Sequence, residues 1–395
     1  MCGRKATIDL RMGAAQNAAR VVVAVLAILW AATPATALCG QSFHLVKTID
    51  VDINPFGITA APDGRTMWVA NSGGSPVTGG PPTSNQITLI DIATLTEEPE
   101  KITVGSFPEH IAFTADGAHA VVTNSSDNTV SVINASTKTV TQTVSLAATE
   151  LAFPFGIIFS RDDRKLFVTT GGGFDNAIAV LDSSDINNVK LTGTIAVDGY
   201  PGIPEFRPDR NQLLVPASPA QIGTAELAVI EPQSGQVLHT LSMPIDNAFA
   251  NDIAVTPDGR LAFISIFAFS GGAGGVWVVD LTHLETVTVI NTGDASVYGM
   301  GITPDGRFVF ATNFFLNQLV VIDPQTDQVL TTVAVGNEPN QVAVTLDGRE
   351  VFVTNQADTT VSVISIPAAG DLEQAAEPSA EIRRWEYRRS PLVRR

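Results

Sequence analysis

Cysteine and histidine are scarce in this chain, and their scarcity removes whole classes of function. Of 395 residues two are cysteines, Cys2 and Cys39. If a leader over 1–37 is removed, only Cys39 remains and no intramolecular disulfide can form. The sequence has no C-x-x-C-H and so no covalently held haem; C-x-x-C, H-E-x-x-H and G-x-x-x-x-G-K-[ST] are missing too. Five histidines are too few for a histidine-rich copper or zinc site. Basic residues are in deficit as well, with 23 Lys and Arg against 40 Asp and Glu and a net charge of −17. A surface of that sign, without basic stripes, repels nucleic acid and anionic headgroups. Beyond the first forty residues or so no apolar run approaches the ~20 residues that span a bilayer.

What the chain does have is a repeat. From Val297 to Pro339 it reads as four short strands, GMGIT, FVFATN, LVVID and QVLTTVAVG, rich in β-branched residues and separated by turn formers. Pro304-Asp305-Gly306 folds the first two into a hairpin, Pro presetting φ and Gly supplying the left-handed position. The opening strand and its Asp-containing turn start at 55, 108, 154, 201, 250, 297 and 339, at intervals of 53, 46, 47, 49, 47 and 42 residues. A period of roughly 40–50 residues with four strands per copy is that of a propeller blade, which buries its faces only by stacking on neighbours. Seven copies predict an all-β, seven-bladed β-propeller with four antiparallel strands per blade.

The last copy stops after its third strand, Val361-Ser362-Val363-Ile364-Ser365. An unmatched strand, His44 to Val51, stands at the start of the repeat region and aligns with Gln328 to Val335. The N-terminal strand is therefore expected to complete the last blade and close the ring. Blades 3 and 4 break the pattern, with Asp163 and Arg210 where Gly is expected and Pro216-Ala217 where others carry Thr-Asn.

The VTN that ends the second strand (Val353-Thr354-Asn355, with near-copies at Val122-Thr123-Asn124 and Ala311-Thr312-Asn313), the PDG turn and the VSVID-like third strand together resemble the YVTN-repeat β-propeller family. The resemblance spans about residues 43 to 366 and implies the fold. It implies little about activity, since the family includes surface-layer and envelope proteins and lies near lactonase-like propellers.

Outside the repeat, Arg4, Lys5, Arg11 and Arg20 precede an apolar core from Val21 to Ala32, then Pro34 and Ala35-Thr36-Ala37, the layout of a cleaved secretory signal. Its removal takes away four bases and one acid and shifts the charge from −17 to −20. The expected domains are a signal peptide at 1–37, a propeller at 38–366 and a flexible charged tail at 367–395. The protein is expected to be exported, to the periplasm or cell surface, and monomeric, with lipid attachment at Cys39 disfavoured by Leu38.

Two groups of residues mark the face that carries the fourth-to-first connections, here called the top. Phe267, Phe269, Phe314 and Phe315 belong to second-to-third loops of blades 5 and 6, and Phe56, Phe155 and Tyr298 open inner strands. They form either an apolar ligand- or partner-binding surface or local plugs over the blades. The polar group is Glu109, His110, Glu205 and Asp252. These four would make either a hydrolytic constellation with His110 as general base, a carboxylate site for a hard cation such as Ca²⁺, or the ordinary polar lining of a wet channel. P-E-H at 108 is similar to the P-R-H of lactonase-like propellers, with Glu109 in place of arginine. The reading that results is a binding or scaffold module for a protein or small-molecule ligand on the top face, with no resident cofactor; the alternative is a lactonase-like hydrolase at the channel mouth.

Overall fold

The computed structural model describes residues 42–73, 84–147, 153–171, 177–218, 224–244, 248–268, 274–293 and 296–368. The expected leader, Cys39, the tail beyond 368, Phe269 and the glycine-rich stretches at 74–82, 172–174 and 271–272 lie outside them.

Seven antiparallel sheets follow one another along the chain. Blade 6 shows the pattern, with Val297–Ile302, Val309–Asn313, Gln318–Asp323 and Gln328–Ala334 hydrogen-bonded in sequence order from inside to rim. Strand residues alternate sides, and in the second and third strands both sides are buried. Val309 and Ala311 pack into a cluster shared with blade 5, whereas Phe308 and Phe310 pack with blade 7. Every pair of neighbouring blades shares one such cluster, and the seventh joins blade 7 to blade 1 through Phe352, Val361, Ile58, Met67 and Ile49. No blade has a core of its own, so the ring is the unit of stability.

The ring closes as the register of the sequence implies. His44–Asp50 runs antiparallel to Thr360–Ser365, with His44 opposite Ser365 and Asp50 opposite Thr360. Of this strand only Ile49 is buried. Its contribution is a ladder of backbone hydrogen bonds that covers an edge, more than the apolar burial expected of it.

The turn chemistry is visible in detail. Gly64, Gly117, Gly259, Gly306 and Gly348 have φ between 68° and 73°, the left-handed region. In most blades a Ser or Thr two residues before the turn Asp caps it, as in Thr114, Thr256 and Thr345, whose hydroxyls donate to Asp116, Asp258 and Asp347 at 2.7, 2.6 and 2.7 Å. Asp163 adopts the glycine conformation with φ 56°. In blade 4 the buried Arg207 stands in for the Thr, donating to Asp209 at 2.6 Å and to the Leu281 carbonyl of blade 5 at 2.6 Å. Pro201 and Pro204 split the inner strand of that blade into Tyr200–Pro201 and Glu205–Phe206. Among the described residues no helix is long and apolar enough to cross a membrane.

Candidate ligand-binding site at the channel mouth

Six of the seven inner strands carry the same irregularity. Pairing with the second strand skips from Pro55 to Ile58, Pro108 to Ile111, Pro154 to Ile157, Ala250 to Ile253, Val297 to Met300 and Pro339 to Val342. The two residues passed over form a bulge, which frees a backbone N–H from the ladder and re-aims the side chains. They are Phe56-Gly57, Glu109-His110, Phe155-Gly156, Asn251-Asp252, Tyr298-Gly299 and Asn340-Gln341.

The freed N–H explains the Thr of the VTN motif. Thr123, Thr169, Thr312 and Thr354, and Ser265 in blade 5, accept from the bulge N–H of His110, Gly156, Gly299, Gln341 and Asp252 at 2.8–3.0 Å. Four of these hydroxyls donate onward, each at 2.8 Å, to the carbonyl of the first bulge residue of the next blade: Thr123 to Phe155, Ser265 to Tyr298, Thr312 to Asn340 and Thr354 to Phe56. Asn124 and Asn355 accept from Gly105 and Gly336 at 3.1 Å and so fix the chain entering the blade. A Cβ on Gly57 or Gly299 would collide with the carbonyls of Glu109 or Asn340, so the bulge glycines allow neighbouring inner strands to approach. The repeat motif is thus a stitch between blades and carries no chemistry of its own.

The bulge also sorts side chains by depth. First-position residues Phe56, Glu109, Phe155, Asn251, Tyr298 and Asn340 line an upper cavity of about 620 Å³. Second-position residues His110, Asp252 and Gln341 line a lower one of about 450 Å³, together with Glu205. Between the two, Phe56 stands edge-on to Phe155 and Tyr298, with centroids 6.1 and 6.0 Å apart, and both Phe56 and Phe155 contact the His110 ring at 5.6 and 4.7 Å. These rings form an aromatic waist across the channel.

The upper cavity is walled by further rings. Phe267 contacts Tyr298, Phe314 and Phe315 at 5.6, 5.9 and 5.9 Å. Phe267 belongs to the second strand of blade 5, Leu261–Ala268, where it pairs with Phe249 and is buried. Its expected place in a loop is corrected accordingly: strand pairing extends further up this blade. Phe315 is 51% exposed at the rim.

Phe107, Phe153, Tyr200 and Phe249 also line this cavity, and sequence reasoning had missed them. Phe107 and Phe153 precede the prolines that open blades 2 and 3 and sit at φ 58° and 57°. The equivalent residues in blades 1 and 7 are Asn54 and Glu338, also left-handed. A bulky residue in that conformation costs ~1–2 kcal/mol relative to the ordinary regions, so two phenylalanines there spend stability on side-chain position. The repeated residue-before-proline was the signal that could have found them.

The ionisable residues do not converge as one constellation. Glu109 opens to the upper cavity; His110, Glu205 and Asp252 open to the lower one. Glu109 is buried, its Oε2 has no hydrogen-bond partner, and burial pushes its pKa up to about 8 against a smaller lowering by the Ser125 hydroxyl. Burial drives His110 down to about 4, which the Phe155 carbonyl only partly offsets. Asp252 is held structurally: Oδ1 accepts from Ile253 N–H and Oδ2 from Met300 N–H of the next blade, both at 2.8 Å. Burial raises Asp252 and Glu205 to about 7 each, with the charge of Glu205 adding to the shift at Asp252. Tyr298 is pushed upward by burial and by Glu109 and Asp252. A general base works best with a pKa near the operating pH, and His110 is well below it. Among the described residues, the three-membered cluster with ligand atoms within 4.8 Å of one another is Asp280, His283 and Glu285 on blade 5. The channel residues considered for Ca²⁺ form no such group.

A family model described as YNCE-like beta-propeller matches residues 58–377. No curated protein matches the chain in sequence. Among solved structures, one titled Kuenenia stuttgartiensis Hydrazine Synthase superposes with a TM-score of 0.69 at 21% identity, covering 81% of this chain and 97% of that one. At that identity the likeness is one of fold.

Proposed function

The chain belongs to the YNCE-like β-propeller family, a membership that fixes the fold and leaves function to the site, and from the site we propose a binding module that takes a small, largely apolar molecule into the upper cavity. The observation that carries this is the cavity itself: about 620 Å³, walled by rings from blades 1 to 6 over an aromatic floor, with a few inward polar groups. A concave seat of that volume suits a small molecule better than a flat protein partner. The left-handed Phe107 and Phe153 support the same reading, since Asn54 and Glu338 hold the same backbone position in blades 1 and 7 without lining the cavity, whereas both phenylalanines line it. As part of the proposal, this role lies outside the cytoplasm, a reading supported by the leader-like sequence at 1–37. The hydrolase reading draws less support, because Glu109 and His110 face different cavities and His110 holds a proton poorly at neutral pH.

The test is titration with the neutral naphthalene dye Prodan, whose emission shifts in apolar surroundings. The parent protein should bind it, and Phe153→Asn and Phe315→Ser should each weaken binding several-fold. Phe153 and Phe315 are 45% and 51% exposed, and Asn tolerates the left-handed backbone, so neither change should lower the denaturation midpoint. Failure of the parent to bind, or undiminished binding by both variants, would refute the assignment of the cavity; a fall in midpoint would mean that the rings are structural plugs.

A further inference from the structure

The unpaired polar atoms of the upper cavity restrict what its ligand can be. Glu109 Oε2 and Asn340 Oδ1 are both buried, both belong to cavity-lining residues and both lack a hydrogen-bond partner. Asn340 Oδ1 is an acceptor, and Glu109 Oε2 becomes one when the carboxyl is ionised. Two amide donors of the lining are already engaged: the Asn340 amide donates to Gln356 at 2.9 Å and the Asn251 amide to the Tyr298 carbonyl at 3.1 Å. No described lining residue is Lys, Arg or His, and Glu109 is the one carboxyl. An anion would find no charge to pair with, whereas a cation would meet the one carboxyl of the lining.

Resting on the reading of this cavity as a ligand seat, we propose that its ligand is an organic cation, an ammonium group on an apolar body, held between Glu109 and the ring faces of Phe56, Phe155 and Tyr298. The ring faces carry negative potential and favour a cation, the more so when it is desolvated. The formal charge of −17 attracts the same sign of ligand from a distance. The buried carboxyl supplies the counter-charge, and a bound cation stabilises its ionised form.

Binding is therefore linked to a proton. In the empty cavity Glu109, with a pKa of about 8, is mostly protonated at neutral pH. A cation must displace that proton, so affinity should rise nearly ten-fold per unit between about pH 6 and 7 and level off above about pH 8. The other titratable groups around Glu109 are Tyr298, which stays protonated throughout, and Tyr200 in the wall; His110, Glu205 and Asp252 lie below the waist. The last two also titrate in this window, so the Glu109 contribution is isolated by substitution.

The probe pair is choline and its uncharged carbon isostere 3,3-dimethyl-1-butanol, each titrated against the full chain and against bound Prodan. Choline should bind more tightly than the isostere at pH 8, displace Prodan and weaken as pH falls, while the isostere shows no pH dependence. Glu109→Gln should lose most of the choline affinity and its pH dependence, with folding checked by denaturant midpoint. Equal binding of the two probes, a flat choline profile, or undiminished choline binding by the variant would overturn the cation assignment while Prodan binding keeps the cavity reading intact. Absence of Prodan binding would remove the cavity reading itself.

Discussion

Glu109→Gln also tests the burial of that carboxyl without any ligand. In the unfolded chain a glutamate titrates near ~4.3, whereas in the folded protein burial raises Glu109 to about 8. The folded state then holds its proton where the unfolded state has released it. Stability from this group is complete below the unfolded pKa and is lost as pH rises, at about 1.4 kcal/mol per unit, until the folded pKa is passed. From pH 5 to pH 8 the loss approaches about 4 kcal/mol, against a typical total of roughly 5–15. Glutamine has the shape of the protonated acid and no proton to lose.

The variant should accordingly match the parent near pH 4.5 and exceed it progressively, with the gap levelling off above pH 8. Glu205 and Asp252, raised to about 7, tilt both proteins in the same direction and cancel in the difference. Urea denaturation at intervals from pH 5 to 9, read as free energy from midpoint and slope, gives that difference directly. Parallel curves for parent and variant would show that water reaches Glu109 in the folded protein, and the desolvated cavity floor would be refuted with it.

Two further predictions concern the ring. Thr354→Val removes the hydroxyl that joins Gln341 N–H to the Phe56 carbonyl at the closing interface and leaves both buried groups unmet, a cost of about 2–4 kcal/mol in denaturant unfolding; an unchanged midpoint would contradict the stitch. Deleting Ser42 to Val51 bares the edge of Thr360–Ser365, so the truncated protein should self-associate on size exclusion, and a stable monomer would show that the strand is dispensable.

What could be read from the sequence and what could not divide along physical lines. The period of the strands, the turn residues and the unmatched His44–Asp50 strand are local or additive signals, and each reappears in the ring. Alignment also brought Phe56, Glu109, Phe155, Tyr298 and their neighbours to one level of the channel, since equivalent residues of repeats occupy equivalent places. It did not separate Glu109 from His110. Adjacent residues of a regular strand already face opposite sides, but here both belong to a bulge, and only the geometry of that bulge, with its N–H captured by Thr123, sends one side chain above the waist and the other below it. The apparent acid–histidine pair therefore dissolved into a lone carboxyl in an aromatic cup and a histidine packed between Phe56 and Phe155. Phe107 and Phe153 escaped notice for a related reason: they lie outside the strands, at the left-handed residue before proline, where Asn54 fills the same role at less cost to the backbone. A motif search weighs what repeats, and the blades repeat the stitch. The site is built from the positions where the repeat is free to differ, so its chemistry is found by asking which of the non-repeating residues the fold holds at a cost, as it holds Phe107, Phe153 and the unpaired Glu109.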